Sequence, residues 1–156
     1  MRNAFVYACF PMLALIAGVP ARAGEQGARV EYVGGTRPEI ANNSAGSLQA
    51  IDEQYLVFYS GKANLRVAYE RIDLLEYGQK VDRRIAMAVL ISPVFALSKK
   101  RQHYLTVGYT DDNGRQQALI FKVDKNHIRA MLAALEARTG KKVEFQDEEA
   151  RKAGRG

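Results

Sequence analysis

Residues 103–123, HYLTVGYTDDNGRQQALIFKV, read as two strands around a turn, and the register of that turn decides how the chain is organised. A two-residue Asn113-Gly114 turn sets Val107 opposite Ile120 and Leu105 opposite Lys122, which puts a charge against an apolar residue on the face that must be buried. A three-residue loop, Asp112-Asn113-Gly114, instead pairs Val107 with Leu119 and Leu105 with Phe121, so that four apolar residues share one face. The second register is the expected one, with Gly114 in the left-handed position of a bulged turn, a conformation open to a residue without Cβ. The stretch is therefore predicted to be a core hairpin.

Beyond it, Ile128, Met131, Leu132 and Leu135 recur at i, i+3, i+4 and i+7, flanked by Ala130, Ala133, Ala134 and Ala137. With Asp124 as an N-cap candidate and Gly140 as a stop, this predicts one amphipathic helix near residues 125–139 whose narrow alanine-rich face suits packing on a sheet. Residues 146–156 are charged and small, a polar helical extension or tail. Towards the N-terminus, residues 29–33 (RVEYV), 48–51, 55–59, 65–69 and 72–77 read as short strands separated by turn-forming stretches. The expected class is mainly β (α+β): a small antiparallel partial barrel of about six to seven strands, its open side covered by one C-terminal helix.

That order of elements resembles the pleckstrin-homology-like superfold, particularly its bacterial and GRAM-type versions. The residues that carry the resemblance are YVGGT at 32–36, GSLQAID at 46–52, LRVAYERIDLLEYG at 65–78, the hairpin, and HIRAMLAALEARTG at 127–140. The resemblance implies a binding module that touches membranes, lipids or proteins rather than an enzyme. Phosphoinositide-binding members gather Lys and Arg around their first hairpin loop, where this chain offers only Arg37. Phosphoinositide recognition is accordingly not expected.

Arg2, the apolar residues 4–19 and Ala21-Arg22-Ala23 before Gly24 have the layout of a cleavable secretory signal peptide, with a retained anchor as the alternative. Residues 1–23 are set apart from the fold, one PH-like domain is expected over 24–145 with a polar tail after it, and the location is periplasmic or extracellular. The single cysteine, Cys9, falls in the leader, so the exported chain is expected to hold neither a disulfide nor a thiol nucleophile.

Chemistry-bearing patterns are sparse. His103 and His127 are the only histidines, and a metal site needs them to converge with carboxylates such as Asp111, Asp112 or Asp124; the hairpin sets His103 far along its strand from the first two. No G-x-S-x-G elbow surrounds any serine. Glu70, Asp73 and Glu76 share a face only on a helix, and their segment reads as a strand. The glycines at 34 and 35 lack phosphate-loop spacing. No metal or cofactor is expected. The frequent tyrosines suit sheet packing better than single-stranded nucleic acid, a partner that export argues against.

Charge is the remaining signal. The formal charge is +6, yet Lys80, Arg83, Arg84, Lys99, Lys100 and Arg101 crowd a window that holds one anion, Asp82. Between them lies IAMAVLISPVFAL, residues 85–97, with only Ser92 polar. Thirteen residues fall short of the roughly 20 that span a bilayer as a helix. The run is either a core segment entering the hairpin or an interfacial loop, broken at Pro93, that dips into a membrane while its flanks meet anionic headgroups. On the second reading the protein is an exported non-enzymatic binding module for a membrane surface or an envelope protein. Its contact residues are then Arg83, Arg84, Val94, Phe95, Lys99, Lys100 and Arg101. The alternative is an exported hydrolase-like enzyme with an unrecognised site.

The leader assignment predicts that protein recovered from the periplasm or the medium has the intact mass of a chain beginning at Gly24. Recovery solely as full-length cytosolic protein contradicts it.

Overall fold

A computed structural model describes residues 27–61, 63–81 and 102–155. In chain order these form β1 (Ala28–Gly35), β2 (Ser44–Gln49), β3 (Tyr55–Ser60), β4 (Ala63–Ala68), a 3-10 turn (Tyr69–Arg71), β5 (Ile72–Gly78), β6 (Tyr104–Thr110), β7 (Gln116–Val123), α1 (Ile128–Thr139), β8 (Glu144–Phe145) and α2 (Glu148–Arg155). Among the described residues the fold is mainly β, one eight-stranded sheet with two short helices. Strand order is β4-β3-β2-β1-β7-β6-β5-β8, antiparallel except where the two-residue β8 runs parallel to β5.

The hairpin takes the three-residue register, with Leu105 opposite Phe121 and Val107 opposite Leu119. Gly114 sits at φ 74°, where a Cβ would be strained, and Asp111 closes the loop by accepting hydrogen bonds from the backbone N–H groups of Asn113 and Arg115. Alternation then sorts the strands. Leu105, Val107, Leu119 and Phe121 join Val30, Tyr32, Leu48 and Phe58 in a single core. At its centre the rings of Tyr32, Phe58 and Phe121, from β1, β3 and β7, pack with centroids 5.1 to 6.1 Å apart.

Three sequence expectations shift at their edges. β2 starts at Ser44 rather than Leu48, because residues 44–48 pair with Tyr32 back to Ala28, and Ile51 is left 46% exposed in the following turn. Gly46 makes this possible, since a Cβ there would meet the Phe58 ring at 2.5 Å. Asp124 is not the N-cap of α1. It closes a turn through the N–H groups of Asn126 and His127, and His127 precedes the helix without a side-chain cap. The stretch after Gln146 forms α2, whose buried Ala150 and Gly154 face inward; a Cβ on Gly154 would press on Phe145 at 2.6 Å.

Helix α1 covers the core with the four residues that its periodicity marks, Ile128, Met131, Leu132 and Leu135, all buried, and ends on Gly140 in the left-handed region. Leu132→Ala is expected to destabilise the protein by about 2 to 5 kcal/mol in urea unfolding. A wild-type midpoint would mean that the helix does not dock through this side chain.

Candidate partner-binding end of the sheet

All seven predicted contact residues, Arg83, Arg84, Val94, Phe95, Lys99, Lys100 and Arg101, lie outside the described residues. What the structure does place is the ground on either side of them. On its other edge β6 pairs with β5, which sets Tyr104 opposite Gly78 and Leu105 opposite Tyr77. Consequently Lys80 and Val81 leave β5 at the same end of the sheet at which Gln102 and His103 enter β6. Stretches twenty residues apart in sequence become neighbours through one strand pairing.

This end is braced by a pair that spacing alone does not reveal. The Tyr77 hydroxyl meets His103 Nδ1 in a short hydrogen bond, and the two rings stack with centroids 5.9 Å apart and planes 2° from parallel. Burial pushes the Tyr77 phenol up to about 12, so the phenol keeps its proton and donates, and Nδ1 of a neutral imidazole accepts. Desolvation lowers the pKa of His103, Lys125 adds to the effect, and Asp124 opposes it. The His103 carbonyl also accepts from the Val123 N–H at 2.8 Å, extending the β6–β7 ladder by one residue. Beside this pair lies a shallow groove of about 310 Å³, lined by Glu76, Lys80, Val81, Glu144, Phe145 and Gln146.

The opposite end is a different environment. There the β1–β2 loop, the 3-10 turn and the hairpin loop bring Arg37, Arg71 and Arg115 towards one side, but each carries its own carboxylate. Arg37 pairs with Glu39, Arg71 with Asp112, and Arg115 with Asp111 at 3.3 Å. Hydrogen bonds, first from the Arg115 backbone and then from Asn113 and Gln117, hold the Asp111 carboxyl below its ordinary range. Arg37 also donates to the buried Tyr109 hydroxyl at 3.4 Å. Local charge is therefore balanced at this end of the sheet.

Of the other candidates, His127 lies 3.9 Å from the Asp124 carboxylate and lines a shallow apolar groove of about 290 Å³ with Ala50, Ile51, Ala130, Met131 and Ala134. Glu70 stands on the 3-10 turn, Asp73 accepts from the Thr110 hydroxyl, and Glu76 accepts from the Gln146 amide, so the three acids point to separate partners or to solvent. No three His, Cys, Asp or Glu groups converge as metal ligands among the described residues. Nor is any helix among them long and apolar enough to cross a membrane. The chain matches no protein-family model and no curated protein.

The Tyr77–His103 pair carries a pH dependence whose sign follows from its burial. A folded-state pKa below the ordinary 6.5 means that the unfolded chain takes up the proton first. Stability is then full above about pH 6.5 and is lost as the pH falls from there towards the lowered folded-state value. Urea midpoints measured between pH 7.5 and 5 should fall, and His103→Gln should flatten that slope. An unchanged slope in the variant would remove His103 as its source.

Proposed function

We propose that this chain is an exported, non-enzymatic binding module of PH-like architecture that adsorbs to an anionic membrane surface through the cations flanking residues 85–97. The observation that carries this reading is the Gly78–Tyr104 pairing, which makes Lys80 and Gln102 leave and enter the sheet side by side. Arg83 and Arg84 follow Lys80 within four residues, and Lys99, Lys100 and Arg101 immediately precede Gln102. Anchoring both stretches at one end of the sheet raises the local density of positive charge above what either flank has alone. Each cation near an anionic surface contributes about 1 kcal/mol to adsorption.

The PH-like part of the reading is supported by connectivity. β4 and β5 stand six positions apart in the strand order, roughly 29 Å across a flat sheet at about 4.8 Å per strand. Only the 3-10 turn Tyr69–Arg71 joins them, a reach of about 14 Å when fully extended. A sheet curled towards a partial barrel brings its ends that close, and α1 then lies over the core it leaves open.

Flotation with anionic vesicles tests the function. The exported protein should float with vesicles containing phosphatidylglycerol and not with neutral ones, and should be released as salt rises, because exposed charges are screened beyond about 8 Å at physiological ionic strength. Reversing Lys99, Lys100 and Arg101 to Glu should abolish flotation with little change in melting temperature. A protein that ignores anionic vesicles at low salt but is retained by an envelope protein through the same residues would move the partner from lipid to protein.

A further inference from the structure

The hairpin whose register organises the sheet also carries a reactive pair at its tip. Of the six asparagines in the chain, Asn113 alone precedes a glycine. The side-chain amide of an asparagine is open to attack by the backbone nitrogen of the next residue, because the product is an unstrained five-membered ring, and a side chain on that next residue obstructs the approach. Glycine has none. Asn113 and Gly114 are both exposed, and a Cβ built on Gly114 would meet no atom within 4 Å, so no neighbouring group stands over the reacting atoms.

The turn opposes the same reaction. The Gly114 N–H, whose nitrogen would attack, donates to the Asp111 carbonyl at 3.0 Å, in the bond that closes the three-residue loop. On either side of it the N–H groups of Asn113 and Arg115 donate to one oxygen of the Asp111 carboxylate, at 2.8 and 2.9 Å. The backbone flanking the Asn113–Gly114 bond is thereby pinned to a single residue. Ring closure requires the Gly114 nitrogen to leave its carbonyl and turn onto the Asn113 side chain, so it waits on a local opening of the loop. Such openings at exposed loops cost less than global unfolding.

We infer that Asn113 is a site of spontaneous modification, converted to aspartate or isoaspartate through attack by the Gly114 nitrogen, and that the turn closed by Asp111 governs its rate. The Gly114 nitrogen gives up its proton to hydroxide and bonds to Asn113 Cγ, and the side-chain nitrogen departs as ammonia. Water then opens the cyclic imide at one carbonyl or the other. Opening at the backbone carbonyl leaves isoaspartate, whose main chain runs through the former side chain and is one atom longer; opening at the former side-chain carbonyl leaves aspartate. Either product adds a negative charge beside Asp111 and Asp112, which already pair with Arg115 and Arg71, and so tips this balanced end of the sheet towards the acidic side. Isoaspartate also lengthens a loop whose closing bond depends on its having three residues.

The test incubates the protein at mildly alkaline pH, folded and in urea, and follows the tryptic peptide 102–115 by mass spectrometry with separation of the aspartate and isoaspartate forms. Asn113 should convert to a mixture of the two while Asn64 and Asn126, in other peptides of the same digest, stay intact. Conversion should be at least about tenfold faster in urea than in the folded protein, the factor that an opening cost of about 1.4 kcal/mol imposes. Asp111→Ala removes two of the three loop hydrogen bonds and should raise the rate in the folded protein while leaving the rate in urea unchanged. An Asn113 that survives in urea, or that converts no faster there than Asn64 and Asn126, overturns the site. Equal rates in the folded and urea-unfolded protein, or a folded-state rate that Asp111→Ala leaves unchanged, overturn the control by the turn.

Discussion

The pairing of β1 with β7 is the contact on which the rest of the architecture depends. β1 to β4 form one meander and β5 to β7 another, and in the strand order the two meet only along the β1–β7 ladder, where Val30, Glu31 and Tyr32 face Val123, Lys122 and Phe121 and, past a bulge, Gly34 and Gly35 face Ile120 and Leu119. Both faces of that seam are occupied. Inside, Tyr32 and Phe121 meet edge to face with centroids 5.8 Å apart, and Phe58 joins them from β3; outside, Lys122 and Glu31 form an ion pair at 3.1 Å. The aromatic contacts hold most of the weight, since each such pair adds about 0.5 to 1.5 kcal/mol beyond area burial, whereas a half-exposed ion pair adds at most about 1.

Several other features follow from the seam. β7 runs directly into α1, so fixing β7 against β1 also sets where Ile128, Met131, Leu132 and Leu135 descend on the core. The bulge at Val33 lies within the same pairing and turns one more apolar side chain to the outer face. The partners are some 90 residues apart in sequence, so the seam closes a long loop before it is rewarded, and folding is expected to wait on it.

Much of this was legible in the residues. The hairpin register could be read because slipping it by one residue buries Lys122, a penalty large enough to decide between two turns. The α1 face could be read because four large apolar side chains at helical spacing leave one choice of orientation. The N-terminal edge of β2 could not, because Ser44, Ala45 and Gly46 are small and polar and enter the sheet only by pairing with β1, a contact set by tertiary context. The docking of α2 was hidden for a similar reason: its contact is made by Ala150 and Gly154, which carry too little apolar area to stand out in a charged stretch. At the candidate site, the hairpin register alone set neither Lys80 near Gln102, which takes the β5–β6 pairing, nor the Tyr77–His103 pair. Those residues lie 26 positions apart and meet only because β5 pairs with β6.

Native-state hydrogen exchange tests the central claim most directly. If the seam holds the two meanders together, the amides of β1 and β7 in the Val30–Val123 to Tyr32–Phe121 ladder exchange only through global unfolding, with the free energy obtained from urea denaturation. Their protection should fall in step with global stability when Phe121→Leu is introduced. Exchange of the β1 amides by a cheaper opening, with β5 to β7 and α1 still protected, would show that the C-terminal half stands without the seam and would contradict this account.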